Sequence, residues 1–282
     1  MTGFVTRFAP SPTGYLHRGH AYSALTAFEA AREANGRFIL RIEDIDATRC
    51  RPEYEAAIHE DLAWLGLGWE TPVRRQSDHL ADYRRALGAL GERGLLYRCF
   101  HTRREIAWAI ESAPHGRMEA FRGSPLSAEE EARRVAAGEP YAWRLSLATA
   151  EQALGGFGGL TFVEEGHGPD GEQGLIAARP ALGGDVVLAR KDVGVAYHLA
   201  VTVDDALQGV SHVIRGQDLF EATHVQRLLQ ALLGLPTPTY RHHRLLASPD
   251  GQRFAKRDRA ETLRALREDG MAAYDLRAEL GF

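Results

Sequence analysis

The stretch Arg7-Phe8-Ala9-Pro10-Ser11-Pro12-Thr13-Gly14-Tyr15-Leu16-His17-Arg18-Gly19-His20 constrains the fold more than any other part of this chain. An apolar, strand-like run (Phe4, Val5, Phe8) enters a Pro- and Gly-rich turn. Two histidines three apart then open a helix-forming run from Ala21 to Arg32. Strand, tight turn and helix N-terminus bring backbone N–H groups and the positive end of a helix dipole to one point, which suits a phosphate. Gly19 lets a nucleotide approach the backbone, and His17 and His20 flank it as donors to phosphate oxygens.

The pattern that follows extends this start into an α/β fold. A strand over Phe4–Phe8 and a helix over Arg18–Ala34, stopped by Asn35-Gly36, precede a mostly apolar strand at Arg37–Glu43. Pro52 suits the first position of a helix running to Leu65, and a further helix covers His79–Arg93. This alternation predicts a doubly wound parallel sheet, with residues 1–96 as the first half of a nucleotide-binding domain. Residues 97–188 read as an inserted α+β module. Its helices are Arg103–Glu111 and Ser127–Ala137, and its strands Trp143–Leu147, Leu160–Glu164 and Asp185–Leu188. The second half of the sheet returns over 189–247, with a helix at Tyr197–Leu207 and strands at Val210–Arg215 and Tyr240–Ala247. Between those strands, Asp218 is expected to cap a helix over Leu219–Leu233. A turn at Ser248-Pro249-Asp250-Gly251 and helices at Arg259–Glu268 and Ala272–Leu280 fill a short C-terminal segment, 248–282.

With 282 residues, 44% hydrophobic and 26% charged, the chain is long enough for a large core and ordinary for a soluble enzyme. It carries no apolar run of membrane-spanning length and no signal-peptide pattern, and a cytoplasmic location is expected. Cys50 and Cys99 do not make a disulfide framework. The net charge of −4 argues against a broad basic surface but leaves room for local RNA-binding patches. Only two lysines occur, Lys191 and Lys256, so arginine supplies 32 of 34 basic residues and a retained lysine invites a chemical reason.

Four further groups carry chemistry. Glu43, Asp44 and Asp46 sit at the end of the second strand, where open α/β sheets bind ligands. They suit a metal, an ammonium group or the capping of a turn. Arg7 and Arg215 lie at strand ends in the two halves, and arginine's planar fork suits carboxylates. Lys256, in Arg253-Phe254-Ala255-Lys256-Arg257, suits a surface loop or a phosphate contact. His242 and His243 read as strand histidines. Neither a P-loop nor a G-x-G-x-x-G fingerprint occurs.

The His-x-Gly-His segment resembles the HIGH signature of class I aminoacyl-tRNA synthetases in the form used by the glutamyl branch. LRIEDID, YHLAVTVDD and VIRGQDL resemble that branch's substrate segments and follow in its order, and RFAKR resembles a degenerate KMSKS loop. The resemblance implies ATP-dependent activation of L-glutamate, with magnesium accompanying ATP. It implies that His17, Gly19, His20 and Lys256 contact ATP, His17, His20 and Lys256 being catalytic. Arg7, Ala9, Ser11, Glu43, Tyr197 and Arg215 would then hold glutamate. Family members can carry zinc on Cys-x-Cys and Tyr-x-x-x-Cys. Here only Cys99 and His101 stand at the first pair, with His115 and Glu119 as the nearest substitutes, so a complete zinc site is not expected. The chain ends 26 residues after Lys256, without an anticodon-binding domain. That resembles paralogues that transfer glutamate to the queuosine base in the anticodon stem-loop of tRNA(Asp), and the family expectation is a monomer. Open alternatives are the catalytic body of an enzyme charging tRNA(Glu), a noncatalytic RNA-binding paralogue, and a nucleotidyltransferase acting on another substrate.

Overall fold

The computed structural model describes residues 3–102, 104–107, 120–190, 194–246 and 261–282. In chain order the first elements are β1 (Val5–Phe8), α1 (Arg18–Glu33), β2 (Arg37–Ile42), α2 (Pro52–Trp64), β3 (Arg74–Arg75), α3 (Leu80–Glu92) and β4 (Leu96–Cys99). They are followed by α4 (Ala128–Ala136), β5 (Ala142–Leu145), α5 (Leu147–Leu154), β6 (Thr161–Glu164), β7 (Gly174–Ala177), β8 (Val187–Arg190) and β9 (Gly194–Val195). The last described elements are α6 (Tyr197–Leu207), β10 (His212–Gly216), α7 (Phe220–Leu233), β11 (Thr239–His243), α8 (Leu263–Glu268) and α9 (Ala273–Leu280). No described helix is long and apolar enough to cross a membrane.

Strands β1, β2 and β3 pair in parallel, with Val5 opposite Arg37 and Phe8 opposite Leu40. Strands β10 and β11 also pair in parallel, His212 opposite Thr239 and Gly216 opposite His243. The two groups meet where β1 runs beside the start of β10. The Ser211 amide donates to the Val5 carbonyl at 3.0 Å, the Val5 amide donates to Ser211 Oγ at 2.8 Å, and Phe4 stacks on His212. The result is a twisted parallel layer in the order β3-β2-β1-β10-β11, the doubly wound arrangement that the sequence predicts.

Alternation along the strands gives this layer two cores. Phe38, Leu40 and Ile42 join one cluster with α1, α2 and the C-terminal helices, whereas Ile39 joins the other with α3, α6 and α7. Val213 and Ile214 divide in the same way. The antiparallel sheet β4-β5-β8-β9 is separate. β6 and β7 lie within residues 97–188 yet extend the parallel layer, β6 pairing with β11 at Tyr240 opposite Glu164. β9 lies beyond residue 188 and pairs with β8. Residues 97–188 therefore contribute strands to two sheets rather than forming one self-contained module.

Local chemistry accounts for most helix ends. Pro52 opens α2, with Glu53 and Glu55 in its first turn, and Asn35 at φ 49° turns the chain out of α1. Helix α5, which the sequence reading lacks, starts on a Ser146 cap and stops at left-handed Gly155, φ 67°. Asp218 does not cap α7: it sits inside a 3₁₀ turn at Gln217–Leu219, and α7 begins without a side-chain cap. The strand expected over Tyr240–Ala247 is shorter, Thr239–His243. The first part of the expected helix Arg259–Glu268 and the Ser248–Gly251 turn lie outside the described residues.

Asp61 of α2 is fully buried with neither carboxylate oxygen hydrogen-bonded among the described residues, and Arg267 stands 3.7 Å away. Burial pushes its carboxyl up to about 6, against the pull of Arg267. An unfolded aspartate titrates near 4, so between about pH 4 and pH 6 the folded state holds the extra proton and stability falls as pH rises. Asp61→Asn is expected to stabilise the protein by on the order of 1–3 kcal/mol above pH 6, the gain vanishing below pH 4. Urea unfolding across pH 4–8 measures this; a pH-independent difference would contradict it.

Candidate active site

The carboxyl ends of β1 and β10 border a cavity of about 450 Å³. Arg7, Ala9, His17, Gly19, His20, Glu43, Tyr197 and Arg215 all line it, so eight of the residues singled out from sequence converge on one space. Ser11 does not line it. It borders an adjoining cavity of about 800 Å³ that shares the Glu43 and Tyr197 walls. Lys256 lies outside the described residues, as do Lys191, His115 and Glu119.

The floor nearest α1 is built by a reciprocal cap. His17 precedes the helix in extended conformation, and its Nδ1 accepts from the Gly19 amide at 3.1 Å. His20 Nδ1 in turn accepts from the His17 amide at 3.2 Å, and the two rings lie 3.8 Å apart. With both Nδ1 atoms accepting, the neutral tautomers carry their proton on Nε2, so each ring is a donor at its far edge. Gly19 leaves the ring room, since a Cβ there would crowd the His17 ring at 3.0 Å. Arg18, whose role is not evident from sequence, points away from the cavity to Glu261, at 3.7 Å, and to Glu279.

The carboxylates after β2 separate in function. Glu43 faces the cavity and takes Arg41 at 3.2 Å. Burial pushes its carboxyl up, against the pull of Arg41 and Arg7. Asp44 instead accepts from the Ser77 amide and hydroxyl at 2.8 and 2.6 Å. Asp46 closes its own turn through Thr48 and Arg49. Of these three, only Glu43 lines the smaller cavity. No group of three His, Cys, Asp or Glu side chains is placed to hold a metal among the described residues. Cys99 is buried within β4 and His101 is exposed.

The two arginines differ in charge compensation. Arg7 Nε donates to Asp205 at 3.1 Å, and Arg41 NH1 approaches the same oxygen at 2.8 Å. Burial raises the Asp205 carboxyl, but Arg7 and Arg41 overcome it and hold the group below the usual range. Arg215 has no carboxylate partner among the described residues. Its Nε donates to His242 Nε2 at 3.1 Å, its NH2 to Thr223 Oγ1 at 2.8 Å and Leu219 O at 3.2 Å, and its NH1 to Tyr197 Oη at 3.5 Å. A buried, uncompensated guanidinium beside a cavity is a receptor for a carboxylate. Glu43, just beyond β2, suits an ammonium. From sequence alone Asp205, within VTVDD, carries no role, His242 reads as an ordinary strand residue and Thr223 does not stand out; nothing local distinguishes them.

The match to known proteins covers the whole assembly. The family model for the catalytic domain of class I tRNA synthetases (E and Q) matches residues 4–278. A glutamyl-Q tRNA(Asp) synthetase of Rhodobacter capsulatus is 46% identical, over 98% of this chain and 99% of its own. One from Symbiobacterium thermophilum is 42% identical, over 94% and 81%. A glutamate–tRNA ligase of Aquifex aeolicus is 38% identical over 96% of this chain but only 55% of its own length. The structure of a glutamate tRNA ligase from Elizabethkingia meningosepticum, in complex with its amino acid, superposes with a TM-score of 0.73 at 28% identity. It aligns over 90% of this chain and 52% of that one.

Gly19→Ala is expected to displace the His17 ring by a few tenths of an ångström and strain its cap. The strained cap is expected to cost up to about 1 kcal/mol of stability. Urea unfolding and nucleotide titration together check it: an unchanged midpoint with unchanged nucleotide affinity would show that the cap tolerates a methyl group.

Proposed function

This chain belongs to the class I tRNA synthetases of the E and Q family, and we propose that it is a ligase that activates L-glutamate with ATP and transfers it to the queuosine base in the anticodon of tRNA(Asp). The observation that carries this reading is the convergence of an uncompensated Arg215, Glu43 and the His17–His20 cap on one cavity. A ligand with an acidic side chain, an ammonium group and a neighbouring phosphate matches those three features.

In this reading the α-carboxylate of glutamate attacks the α-phosphate of ATP in line, forming glutamyl-adenylate as pyrophosphate leaves. Arg215 NH1 and Tyr197 take the side-chain carboxylate, and Glu43 takes the ammonium group. Arg7, held by Asp205, and Ala9 complete the amino-acid wall. His17 and His20 donate from Nε2 to phosphate oxygens at the positive end of α1, and Gly19 lets the nucleotide lie against the backbone. Lys256 neutralises charge on the departing pyrophosphate, and magnesium enters with ATP as part of that substrate. The larger cavity, which shares Glu43 and Tyr197 and is bordered by Ser11, Arg49, Arg144 and Arg190, admits the tRNA acceptor base. Its arginines suit the flanking phosphates. The protein works as a cytoplasmic monomer.

Glutamate-dependent ATP–pyrophosphate exchange without tRNA, followed by parallel labelling of queuosine-containing tRNA(Asp) and of tRNA(Glu), tests the reading. Exchange together with labelling of tRNA(Asp) is expected. Absence of exchange would overturn activation, and labelling of tRNA(Glu) alone would identify the charging enzyme instead. Arg215→Ala should raise the glutamate KM roughly 100-fold or more while leaving the ATP KM within a few-fold. Lys256→Ala should lower kcat for exchange with little change in glutamate KM; the opposite pattern would remove Lys256 from its assigned role.

A further inference from the structure

We infer that Glu164 and His242 are positioning residues that set Arg215 for the substrate carboxylate, the neutral imidazole acting as a spacer between two charges. Glu164 ends β6 and His242 lies on β11, 78 positions apart in sequence but adjacent in the sheet. Glu164 Oε2 stands 2.5 Å from His242 Nδ1, and Oε1 accepts the His242 amide at 2.8 Å. The same oxygen accepts the Gly166 amide at 2.8 Å. Both side chains are buried, and a Cβ on Gly166 would meet the His242 carbonyl at 2.1 Å, so the close approach of the two segments requires glycine there.

The hydrogen-bond inventory fixes the tautomer. The Glu164 carboxylate can only accept when ionised, so His242 Nδ1 carries the proton and donates to it. Nε2 is left as an acceptor, and Arg215 Nε–H fills it at 3.1 Å. Burial pushes the imidazole down, which keeps it neutral, while hydrogen bonds from His242 and Gly166 overcome burial and hold Glu164 below the usual carboxylate range. The Phe220 ring packs edge-on against His242 at 5.2 Å and Tyr240 stacks parallel to it, restricting the imidazole plane.

Donor counting gives the consequence. Of the five N–H bonds of Arg215, the one on Nε goes to His242 and the two on NH2 go to Thr223 and Leu219. NH1, whose contact to Tyr197 Oη is long, remains for a ligand. A carboxylate directly at the Nε position would hold the guanidinium equally well but would cancel its charge. The imidazole holds it without cancelling it. The end of β6 therefore sets the preference for an acidic ligand at a site to which both halves of the sheet contribute.

The inference rests on glutamate activation as the function. Glu164→Gln is the decisive variant, because it conserves shape but presents an N–H to Nδ1. The imidazole must then place its proton on Nε2, donor against the Arg215 donor. We expect the glutamate KM in pyrophosphate exchange to rise about tenfold or more while the ATP KM and kcat stay within about threefold. In ¹⁵N spectra of the imidazoles, His242 should switch from the Nδ1–H to the Nε2–H form. His242→Ala should raise the glutamate KM similarly, and His242→Gln, which restores an acceptor to Arg215, should recover much of the loss. Wild-type protein without exchange would refute the activation reading itself. An active wild type whose Glu164→Gln variant keeps its glutamate KM would refute only the positioning role. Should Glu164→Gln not fold, an Nε2–H tautomer for His242 in the wild-type spectrum would overturn the inference by itself.

Discussion

The adjacent carboxylates Asp204 and Asp205 near the end of α6 are the junction on which the rest of the structure depends. Asp204 accepts from Arg74 at 2.7 Å, Gln76 at 2.8 Å and the Tyr83 hydroxyl at 2.8 Å. Asp205 accepts from Arg7 and Arg41. One helix thereby fastens β1, β2, β3 and α3, drawn from the first half of the chain, to the second half. Burial opposes charge on Arg41, but Asp205, Glu43 and Asp204 more than compensate and hold it protonated. Networks of this kind add little net stability, because desolvation consumes the Coulomb gain, yet removing one member costs about 3–5 kcal/mol. Their value here is register: five hydrogen-bonding partners fit only when the two halves of the sheet are aligned. That alignment is what brings Arg7 and Arg215 to the same cavity.

The same network explains why two arginines in one cavity are not equivalent. Arg7 is held by a carboxylate and contributes shape and a compensated charge, whereas Arg215 is held by neutral acceptors and stacks over Tyr240 at 5.5 Å. Selectivity for an acidic ligand requires a net positive potential at one end of the cavity, because a neutral isostere can form comparable hydrogen bonds. A site with both arginines paired would bind the isostere nearly as well. A site with neither paired would carry two uncompensated buried charges, at a desolvation cost of several kcal/mol per ion.

Legibility from sequence followed the range of the interactions. The turn from β1 into α1 is local, and its histidines, glycine and helix start were readable in order. The parallel sheet was readable because RFILRI is mostly apolar, and Pro52 and Asn35 mark ends that depend on their own backbone chemistry. The carboxylates after β2 were recognisable as a group. Sequence alone did not separate Glu43 from Asp44 and Asp46, since their directions depend on Ser77 and Thr48 once the strand's alternation ends. His242 was opaque because its partner Glu164 arrives through a strand pairing across the inserted stretch. Helix α5 was missed despite its Ser146 and Gly155 signals, because its apolar start reads equally well as the end of a strand. Asp218 shows the converse: a residue with capping chemistry in a capping position, absorbed by a 3₁₀ turn.

The turn from β1 into α1 is also mechanically tied to the C-terminal helices. The Leu263 amide donates to the Leu16 carbonyl at 2.8 Å, His17 bridges Thr262, and Thr262 caps α8 through the Ala265 amide. Arg18 adds its pairs with Glu261 and Glu279, so the residue between the two histidines looks outward while they look in. Leu246, the last described residue before the Lys256 segment, lines the same cavity. After that segment the described chain is hydrogen-bonded to the α1 N-terminus, and before it His243 Nε2 lies 3.0 Å from Ser23 Oγ of α1. A change in the His17 cap would be felt at residues 261–263 through hydrogen bonds only one residue removed from it. Such coupling needs no long path: the N-terminus of α1 and the start of α8 share one hydrogen-bonded corner.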